Sequence, residues 1–193
     1  MINSRAEHEI QTLQSVNTIA DGIAVKTPGQ TTFNLCEKYV DEIVTVTDDE
    51  ISTAILTLIE KQKLVAEGAG AVSVAAALFN KVPIEGKKVV CLISGGNIDV
   101  TILSRVIDRG LQKAGRLVTL NIKLIDKPGQ LRDVSKIIAD LGGNVVSVNH
   151  DRTDANVDIN SCFLRISLET RDRDHVMEIK NELMKEGYSF SIN

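Results

Sequence analysis

The stretch LIDKPGQLRDVSKIIADLGGNVVSVNHDR, residues 124–152, decides the fold of the C-terminal part of the chain. It runs from the end of an apolar strand through an Asp-Lys-Pro-Gly turn into residues 130–141, where leucine, valine and isoleucine recur at helical spacing. A Gly-Gly pair then ends the predicted helix, and residues 144–150 alternate as a half-buried strand does. This order of strand, turn, helix and strand predicts a small α/β unit.

The sequence on either side extends the pattern. Residues 117–125 alternate as a first strand, a polar hairpin-like loop is predicted at 151–156, and a third strand is predicted at 161–168. An amphipathic helix at 173–185 and a strand at 188–192 complete the order βαββαβ. That order predicts a ferredoxin-like sandwich, with both helices on one face of an antiparallel sheet.

The sequence before residue 116 predicts part of a different α/β domain. Residues 87–93 form a nearly continuous apolar run, which is typical of a strand covered on both faces in a parallel, helix-flanked sheet. A second strand is predicted at 42–46. Four helices are predicted: one at 31–39, one that begins at the capping box Thr47-x-x-Glu50, one at 71–80, and one that runs from Asp99 to a stop at Gly115. Two strands are few for a parallel sheet, so we expect an incomplete domain at 1–115 and a second domain at 116–193.

The stretch VVCLISGGNID, residues 89–99, is the first candidate site. The predicted strand ends at Ser94 and turns through Gly95 and Gly96 into a helix, and in an open α/β sheet such junctions face the crevice that holds small ligands. The Ser94 hydroxyl is available there as a cofactor contact, and the glycines let the backbone approach a ligand closely. The alternative is a Gly-Gly turn from strand to helix with nothing bound.

Composition excludes several classes of protein. The chain has 193 residues, of which 43% are hydrophobic and 25% charged, and its formal net charge is -4, so neither nucleic acid nor a membrane is an expected partner. Three cysteines and three histidines are scattered along the chain without the spacing of zinc ligands or of a disulfide framework. We therefore predict no metal site, histidines on the surface or in loops, reduced thiols and a cytoplasmic location. No stretch predicts an export signal or a membrane anchor.

The two parts of the chain resemble two known families. LIDKPGQLRDVSKIIADLGGNVVSVNHDR, with its Asp-x-Pro-Gly-x-Leu turn, resembles the ACT domain, a small amino-acid-sensing module. Upstream, the stretches SVNTIADGIAVKTPG, VTVTDDEI, LVAEGAGAVSVAAAL and VVCLISGGNID resemble, in that order, the C-terminal half of the catalytic domain of threonine ammonia-lyases. Those enzymes, also called threonine dehydratases, belong to the fold-type II pyridoxal-phosphate family.

The second resemblance implies a chemistry. Such enzymes hold pyridoxal 5'-phosphate on a lysine as a Schiff base and convert threonine, or serine, to an oxo acid and ammonia; threonine gives 2-oxobutanoate. The resemblance implies that Ser94 lies against the pyridine nitrogen, beside Gly95 and Gly96, and that Glu67 lies near the cofactor. Capping of the helix that follows is the alternative role for Glu67.

Part of that machinery has no counterpart in the sequence. The family's lysine, in a Ser-x-Lys-x-Arg-Gly context, and its phosphate-binding tetraglycine loop are both missing from the 193 residues. We therefore predict no catalytic residue in this chain, interpret it as the C-terminal part of such an enzyme, and assign pyridoxal phosphate to the full-length parent. The isolated chain is expected to be inactive.

The ACT resemblance implies an effector site at the turn before the predicted helix. The candidate residues are Asp126, Pro128, Gly129, Gln130 and Leu131. The first amides of that helix point outward and suit the carboxylate of an amino acid, with isoleucine or valine as the expected effector, and Leu131 can close over its side chain. Asn144 would contribute from a neighbouring copy, so we expect a homo-oligomer through the ACT domain. The alternatives are an ordinary tight turn and a core role for Leu131.

Two functions remain open on the sequence. One is a threonine ammonia-lyase segment with ACT regulation, and the other is a non-catalytic amino-acid-sensing and oligomerisation module derived from such an enzyme. A nucleotide-binding α/β protein fits less well, because ISGGN lacks the third glycine and the acidic residue of the dinucleotide fingerprint.

Overall fold

The computed structural model describes residues 1–152 and 160–192, so residues 153–156 of the predicted hairpin-like loop lie outside the described residues. The chain divides into two compact units, Met1–Ile107 and Asp108–Asn193. The division falls inside a helix that begins at Val100. The domain limits 1–115 and 116–193 stay a prediction.

The first unit is built from helices packed on a small apolar core. Its elements are α1 Ile2–Ala6, a 3₁₀ turn at Asp21–Ile23, α2 Gln30–Tyr39, α3 Asp48–Thr57 with a π turn at Leu58–Gln62, α4 Gly68–Leu78, and α5 Val100–Lys113, which continues into the second unit. Ile51 and Ile55 of α3 are buried together with the alanines of α4. Because alanine side chains are short, α3 and α4 can approach closely.

Helix α3 begins with the predicted capping box. The Thr47 amide donates to Glu50 Oε2 at 2.8 Å, and the Glu50 amide donates to Thr47 Oγ1 at 3.3 Å. Lys81 Nζ lies 2.8 Å from Glu50 Oε1. The hydrogen bond from Lys81, followed by the one from the Thr47 amide, holds the pKa of the Glu50 carboxyl below its ordinary value. The sequence signal for the start of α3 is therefore confirmed.

The predicted strands at 42–46 and 87–93 differ from the structure. Neither segment pairs in a ladder with another strand among the residues described. Within 87–93, Val90 is 92% and Leu92 76% exposed, whereas Ile93 is partly buried against the core of the first unit. A strand forms only where a neighbour accepts and donates its backbone hydrogen bonds, and no described part of the first unit supplies that neighbour.

The second unit has the predicted βαββαβ order. Its elements are β1 Leu117–Ile125, α6 Gln130–Asp140, β2 Asn144–Asp151, β3 Ser161–Glu169, α7 Arg173–Lys185 and β4 Ser189–Ile192. The strands form one antiparallel sheet in the order β2-β3-β1-β4. Alternate residues of β1 and β3 share one core with both helices: Leu120, Ile122, Leu124, Leu164, Ile166, Leu168, Val134, Ile138, Ile179 and Leu183. The α/β class and the ferredoxin-like sandwich are confirmed.

Helix α7 is fixed at its start by a buried histidine. Asp172 Oδ1 accepts from the His175 amide at 2.8 Å and so caps the helix. The His175 ring accepts from the Arg171 amide through Nδ1 at 3.1 Å, and its Nε2 lies 3.0 Å from the Leu141 carbonyl oxygen. Because both ring nitrogens have partners, the imidazole can be buried, and the prediction of a surface position for His175 is wrong.

Among the residues described, none of the helices combines the length and the apolar character needed to cross a bilayer.

Candidate functional site

The structure brings the Glu67 segment against the Ser94–Gly96 junction. The Glu67 amide donates to the Gly95 carbonyl at 3.1 Å. A Cβ on Gly70 would lie 2.5 Å from that same carbonyl oxygen, and a Cβ on Gly95 would collide with Glu67 Oε1. A Cβ on Gly96 would lie 2.8 Å from the Val65 carbonyl oxygen. At Gly70 and Gly96 a side chain would therefore collide with a backbone carbonyl, whereas at Gly95 it would meet only the end of the Glu67 side chain.

Glu67 occupies the N-cap position of α4, but its side chain does not cap the helix. The half-buried carboxylate lies instead beside Gly95. The capping alternative for the Glu67 side chain is therefore wrong.

Ser94 is an exposed residue on a segment that α4 holds in place. The Ser73 hydroxyl donates to the Leu92 carbonyl at 2.8 Å, and the Cys91 thiol donates to the Ser73 carbonyl at 3.6 Å. These contacts fix the backbone on the N-terminal side of Ser94, and Gly95 fixes it on the other side. The serine hydroxyl is thus presented from a positioned backbone.

A cavity of about 470 Å³ lies beside this junction. Its lining includes Asp21, Glu67, Asn97 and Asp99, and it does not include Ser94. The Thr101 hydroxyl, and then the Thr101 amide at 2.7 Å, hold the pKa of Asp99 below its ordinary value, so this carboxylate is charged at neutral pH. Three carboxylates in the lining disfavour an anionic group such as a phosphate.

These residues fit one end of pyridoxal phosphate. Ser94 offers a neutral hydroxyl that can hydrogen-bond a ring nitrogen, and the two glycines leave the adjoining backbone without side chains. The phosphate end does not fit the neighbouring cavity, because that cavity is acidic. Lys63 donates to the Glu60 carbonyl at 2.9 Å and Lys81 pairs with Glu50, so these two amines are engaged away from Ser94.

The second unit holds a pocket of about 340 Å³ at the start of α6. Five of the six predicted effector residues line it: Asp126, Pro128, Gly129, Gln130 and Leu131. Gly129 has a φ of +98°, which glycine adopts without strain, and no side chain caps the first turn of α6. The free amides of that turn are available to a carboxylate. Leu131 is 40% exposed, so the core role considered for it is wrong.

Five further residues line this pocket, Ile125, Lys127, His150, Arg152 and Cys162, and sequence reasoning missed the role of the last three. Arg152 Nη2 lies 3.0 Å from Asp126 Oδ1, and His150 Nε2 lies 2.9 Å from Cys162 Sγ. Burial, with a smaller contribution from the Asp126 charge, raises the pKa of the Cys162 thiol, while Arg152 acts in the opposite direction. The thiol is therefore protonated at neutral pH.

The proximity of His150 and Cys162 could have been found from the pairing of the two predicted strands that carry them. His150 of β2 lies opposite Leu164 of β3, and Cys162 lies two residues before Leu164 on the same face of β3. Diagonal neighbours across an antiparallel pair are within reach of each other. The histidine and the cysteine are distant in sequence, but the register of β2 and β3 brings them together.

Asn144 is the one predicted effector residue that the structure does not bring into the pocket. It begins β2, and its Nδ2 donates to Glu169 Oε2 at 2.8 Å. Its contribution to a neighbouring copy stays a prediction.

Comparison with known proteins gives two family matches and several relatives. Residues 1–95 match the pyridoxal-phosphate dependent enzyme family, and residues 118–183 match the ACT domain. L-threonine ammonia-lyase of Thermotoga maritima is 48% identical over 192 residues, which are 100% of this chain and 48% of the relative. The enzyme of the same name from Geobacter sulfurreducens is 44% identical over 171 residues, 89% of this chain and 42% of the relative. The chain thus spans about half the length of the curated relatives it matches.

A solved structure gives the same relationship. The processed form of threonine deaminase isoform 2 from Solanum lycopersicum aligns with a TM-score of 0.50 at 34% identity, over 55% of this chain and 30% of that chain. Residues 1–95 are therefore similar to the pyridoxal-phosphate dependent enzymes, residues 118–183 are similar to the ACT domain, and the whole chain is similar to threonine ammonia-lyases over about half of their length.

Proposed function

We propose that this chain is the segment of a pyridoxal-phosphate-dependent threonine or serine ammonia-lyase that contacts the cofactor ring and carries the regulatory domain. The proposed reaction of the parent converts threonine to 2-oxobutanoate and ammonia in the cytoplasm, and the isolated chain is proposed to be inactive. The junction of Glu67, Gly70 and Gly95 supports this proposal most directly, because it presents Ser94 from a backbone on which side chains are excluded.

The residues of the junction have separate roles in this proposal. When bound, pyridoxal phosphate supplies the electron sink for loss of the α-proton and the β-hydroxyl. Ser94 would hydrogen-bond the ring nitrogen without carrying a charge, so it would not stabilise a protonated nitrogen as a carboxylate does. The Glu67 amide holds the Gly95 carbonyl, and this bond orients the backbone that carries Ser94.

The test uses a chimera in which the part of the Thermotoga maritima enzyme that precedes the matched region is joined to residues 1–193 of this chain. We expect the chimera to release oxo acid from threonine. Ser94→Ala should lower turnover about tenfold, which corresponds to loss of one hydrogen bond worth ~1.4 kcal/mol. Ser94→Thr keeps the hydroxyl and should retain more activity, and the exposed Ser104→Ala is the matched control. Unchanged turnover in Ser94→Ala would exclude the assignment of Ser94.

The isolated chain provides a second test. It is mixed with pyridoxal phosphate, reduced with borohydride and examined for a lysine adduct, and oxo-acid release from threonine is measured in parallel. We expect no turnover. Turnover accompanied by one specific adduct would contradict the assignment of the catalytic lysine to the parent.

For the ACT unit we propose an amino-acid effector, isoleucine or valine, bound in the pocket at the start of α6, and a homo-oligomer formed through this unit. The amides of α6 would bind the effector carboxylate, and Asp126 would bind its ammonium group. Calorimetric titration with isoleucine, valine and threonine should give heat that is lost in Asp126→Asn and kept in Asp174→Asn, which changes an exposed residue of α7. Absence of heat with all three amino acids would exclude this site.

The alternative function is a non-catalytic sensing and oligomerisation module. The self-contained core of the second unit favours it, since every residue of that core lies within the unit. An inactive but soluble chimera that still binds an effector would support this alternative over the lyase.

A further inference from the structure

Three potential metal ligands meet in the pocket of the second unit. Asp126, His150 and Cys162 each offer one ligand atom, and these atoms all lie within 4.8 Å of one another. His150 Nε2 and Cys162 Sγ are 2.9 Å apart. The proposed lyase chemistry uses none of the three, and the proposed effector contact uses only Asp126.

We propose that Asp126, His150 and Cys162 form a binding site for a divalent transition metal of the Zn²⁺ class. One imidazole nitrogen, one thiolate sulfur and one carboxylate oxygen form a donor set that suits Zn²⁺ and disfavours Mg²⁺ and Ca²⁺, which take oxygen ligands. The sequence predicted no metal site because these residues lack the spacing of metal ligands along the chain. The pairing of β2 with β3 brings them together in space despite that spacing.

The distances suit a tetrahedral ion. Zn–N and Zn–S bonds of about 2.0 and 2.3 Å at a tetrahedral angle place nitrogen and sulfur about 3.5 Å apart. His150 and Cys162, now at 2.9 Å, would have to separate by only about 0.6 Å. A rotation of the exposed His150 ring can supply such a shift without moving β3.

Each ligand is positioned by the sheet. Cys162 is 1% exposed and lies in β3 opposite Leu124 of β1. Asp126 follows β1, and its amide donates to the Asn160 carbonyl at 2.9 Å. His150 is held in β2 by its pairing with Leu164. Ligands on paired strands are pre-positioned, and three protein ligands leave a fourth position open to the pocket of about 340 Å³, where water can coordinate.

The neighbouring cation does not block the site. Arg152 Nη2 lies 3.0 Å from Asp126 Oδ1. A carboxylate has a second oxygen with its own lone pairs, so Asp126 can coordinate an ion through Oδ2 while it keeps the ion pair with Arg152.

Co²⁺ is the probe for this proposal, because a thiolate ligand gives a charge-transfer band in the near ultraviolet and tetrahedral coordination gives intense visible bands. We titrate the untagged chain and expect one equivalent of Co²⁺ to produce both signals. Cys162→Ser should abolish the charge-transfer band. His150→Gln and Asp126→Asn should each weaken binding by at least about tenfold, because each removes a direct ligand and loss of even an outer group costs about 10–100-fold.

Two controls make the result specific. Cys36→Ser and His8→Gln lie outside the cluster and should bind Co²⁺ as the unchanged chain does. If Cys162→Ser does not fold, as judged by circular dichroism, the two exposed positions His150 and Asp126 carry the test. Absence of a stoichiometric thiolate band, or a band of unchanged affinity in His150→Gln, would overturn the proposal. The proposal does not depend on threonine turnover or effector binding, so failure of either leaves the Co²⁺ result interpretable.

Discussion

At the scale of single residues, Gly70 and Gly95 differ in what surrounds them. A Cβ on Gly70 would meet the backbone carbonyl of Gly95, whereas a Cβ on Gly95 would meet the end of the flexible Glu67 side chain. A carboxylate at the end of a long side chain can move aside by rotation, but a carbonyl within a packed junction moves only with its chain. The two glycines should therefore respond differently to the same substitution.

We predict that Gly70→Ala destabilises α4 and Gly95→Ala does so less. Overpacking costs about 1–3 kcal/mol and alanine returns about 1 kcal/mol in helix propensity, so the contact with a backbone carbonyl at position 70 leaves a net loss of up to about 2 kcal/mol for Gly70→Ala. Hydrogen exchange of peptides from Gly68–Leu78 measures the effect locally. In a Glu67→Ala background the cost of Gly95→Ala should nearly disappear, while that of Gly70→Ala should persist. Equal costs in both backgrounds would contradict the contacts described here.

The sequence identified individual residues where a turn carries its own chemistry. Five pocket residues around Pro128 were predictable because Asp-x-Pro-Gly sets a turn, and a helix start follows it. The contact between Glu67 and Gly95 was not predictable from local pattern, since it depends on how α4 packs against the segment before α5. His150 and Cys162 fall between these cases, because strand register alone brings them together.

At the scale of elements, Glu50 at the start of α3 takes part in both a helix cap and an ion pair. Glu50 accepts from the Thr47 amide and pairs with Lys81, and both contacts favour the charged carboxylate. A group whose pKa is lower in the folded state stabilises it above the unfolded pKa, and this contribution is lost as the pH falls through the folded pKa. The contribution of Glu50 is therefore present at neutral pH and disappears in acid.

We predict that Glu50→Gln reduces the acid sensitivity of α3. Glutamine can still accept from the Thr47 amide, so the substitution removes the charge and keeps the capping geometry. Hydrogen exchange of peptides covering Asp48–Thr57, corrected for intrinsic rates, should show a smaller loss of protection in acid than in the unchanged chain. Lys81→Met should remove only the ion-pair part, and added salt should mimic it. An identical acid response in Glu50→Gln would show that other groups control this helix.

A helix or strand could be predicted from the sequence where the same unit supplies the residues that bury one of its faces. The bounds of β1 and α7 agree with prediction, because alternation and helical spacing there match a core that the second unit itself supplies. The run at 87–93 has the same apolar signal, but strand pairing also requires a partner, and apolar pattern alone does not show whether the partner is present.

At the scale of the whole molecule, the two units differ in how they cover their apolar residues. In the second unit alternate residues of β1 and β3 are almost fully buried, although Val146 and Val148 of β2 are exposed. In the first unit Val89, Val90 and Leu92 are exposed although their run is typical of a covered strand. The proposed function accounts for this difference, since the remainder of a parental catalytic domain would pair with residues 87–93.

Val90→Glu should have different consequences in the isolated chain and in the chimera. In the isolated chain Val90 is 92% exposed, so Val90→Glu should change the free energy of unfolding by less than about 0.5 kcal/mol. In the chimera with the Thermotoga maritima segment the same carboxylate would be buried without a partner, and an unpaired buried charge costs several kcal/mol. Soluble yield and turnover of the chimera should therefore collapse in Val90→Glu and persist in Val90→Ile, which keeps the side chain apolar and β-branched. Full activity of the Val90→Glu chimera would show that residues 87–93 are not an interior strand, because a charged side chain at position 90 would then remain in water in both settings.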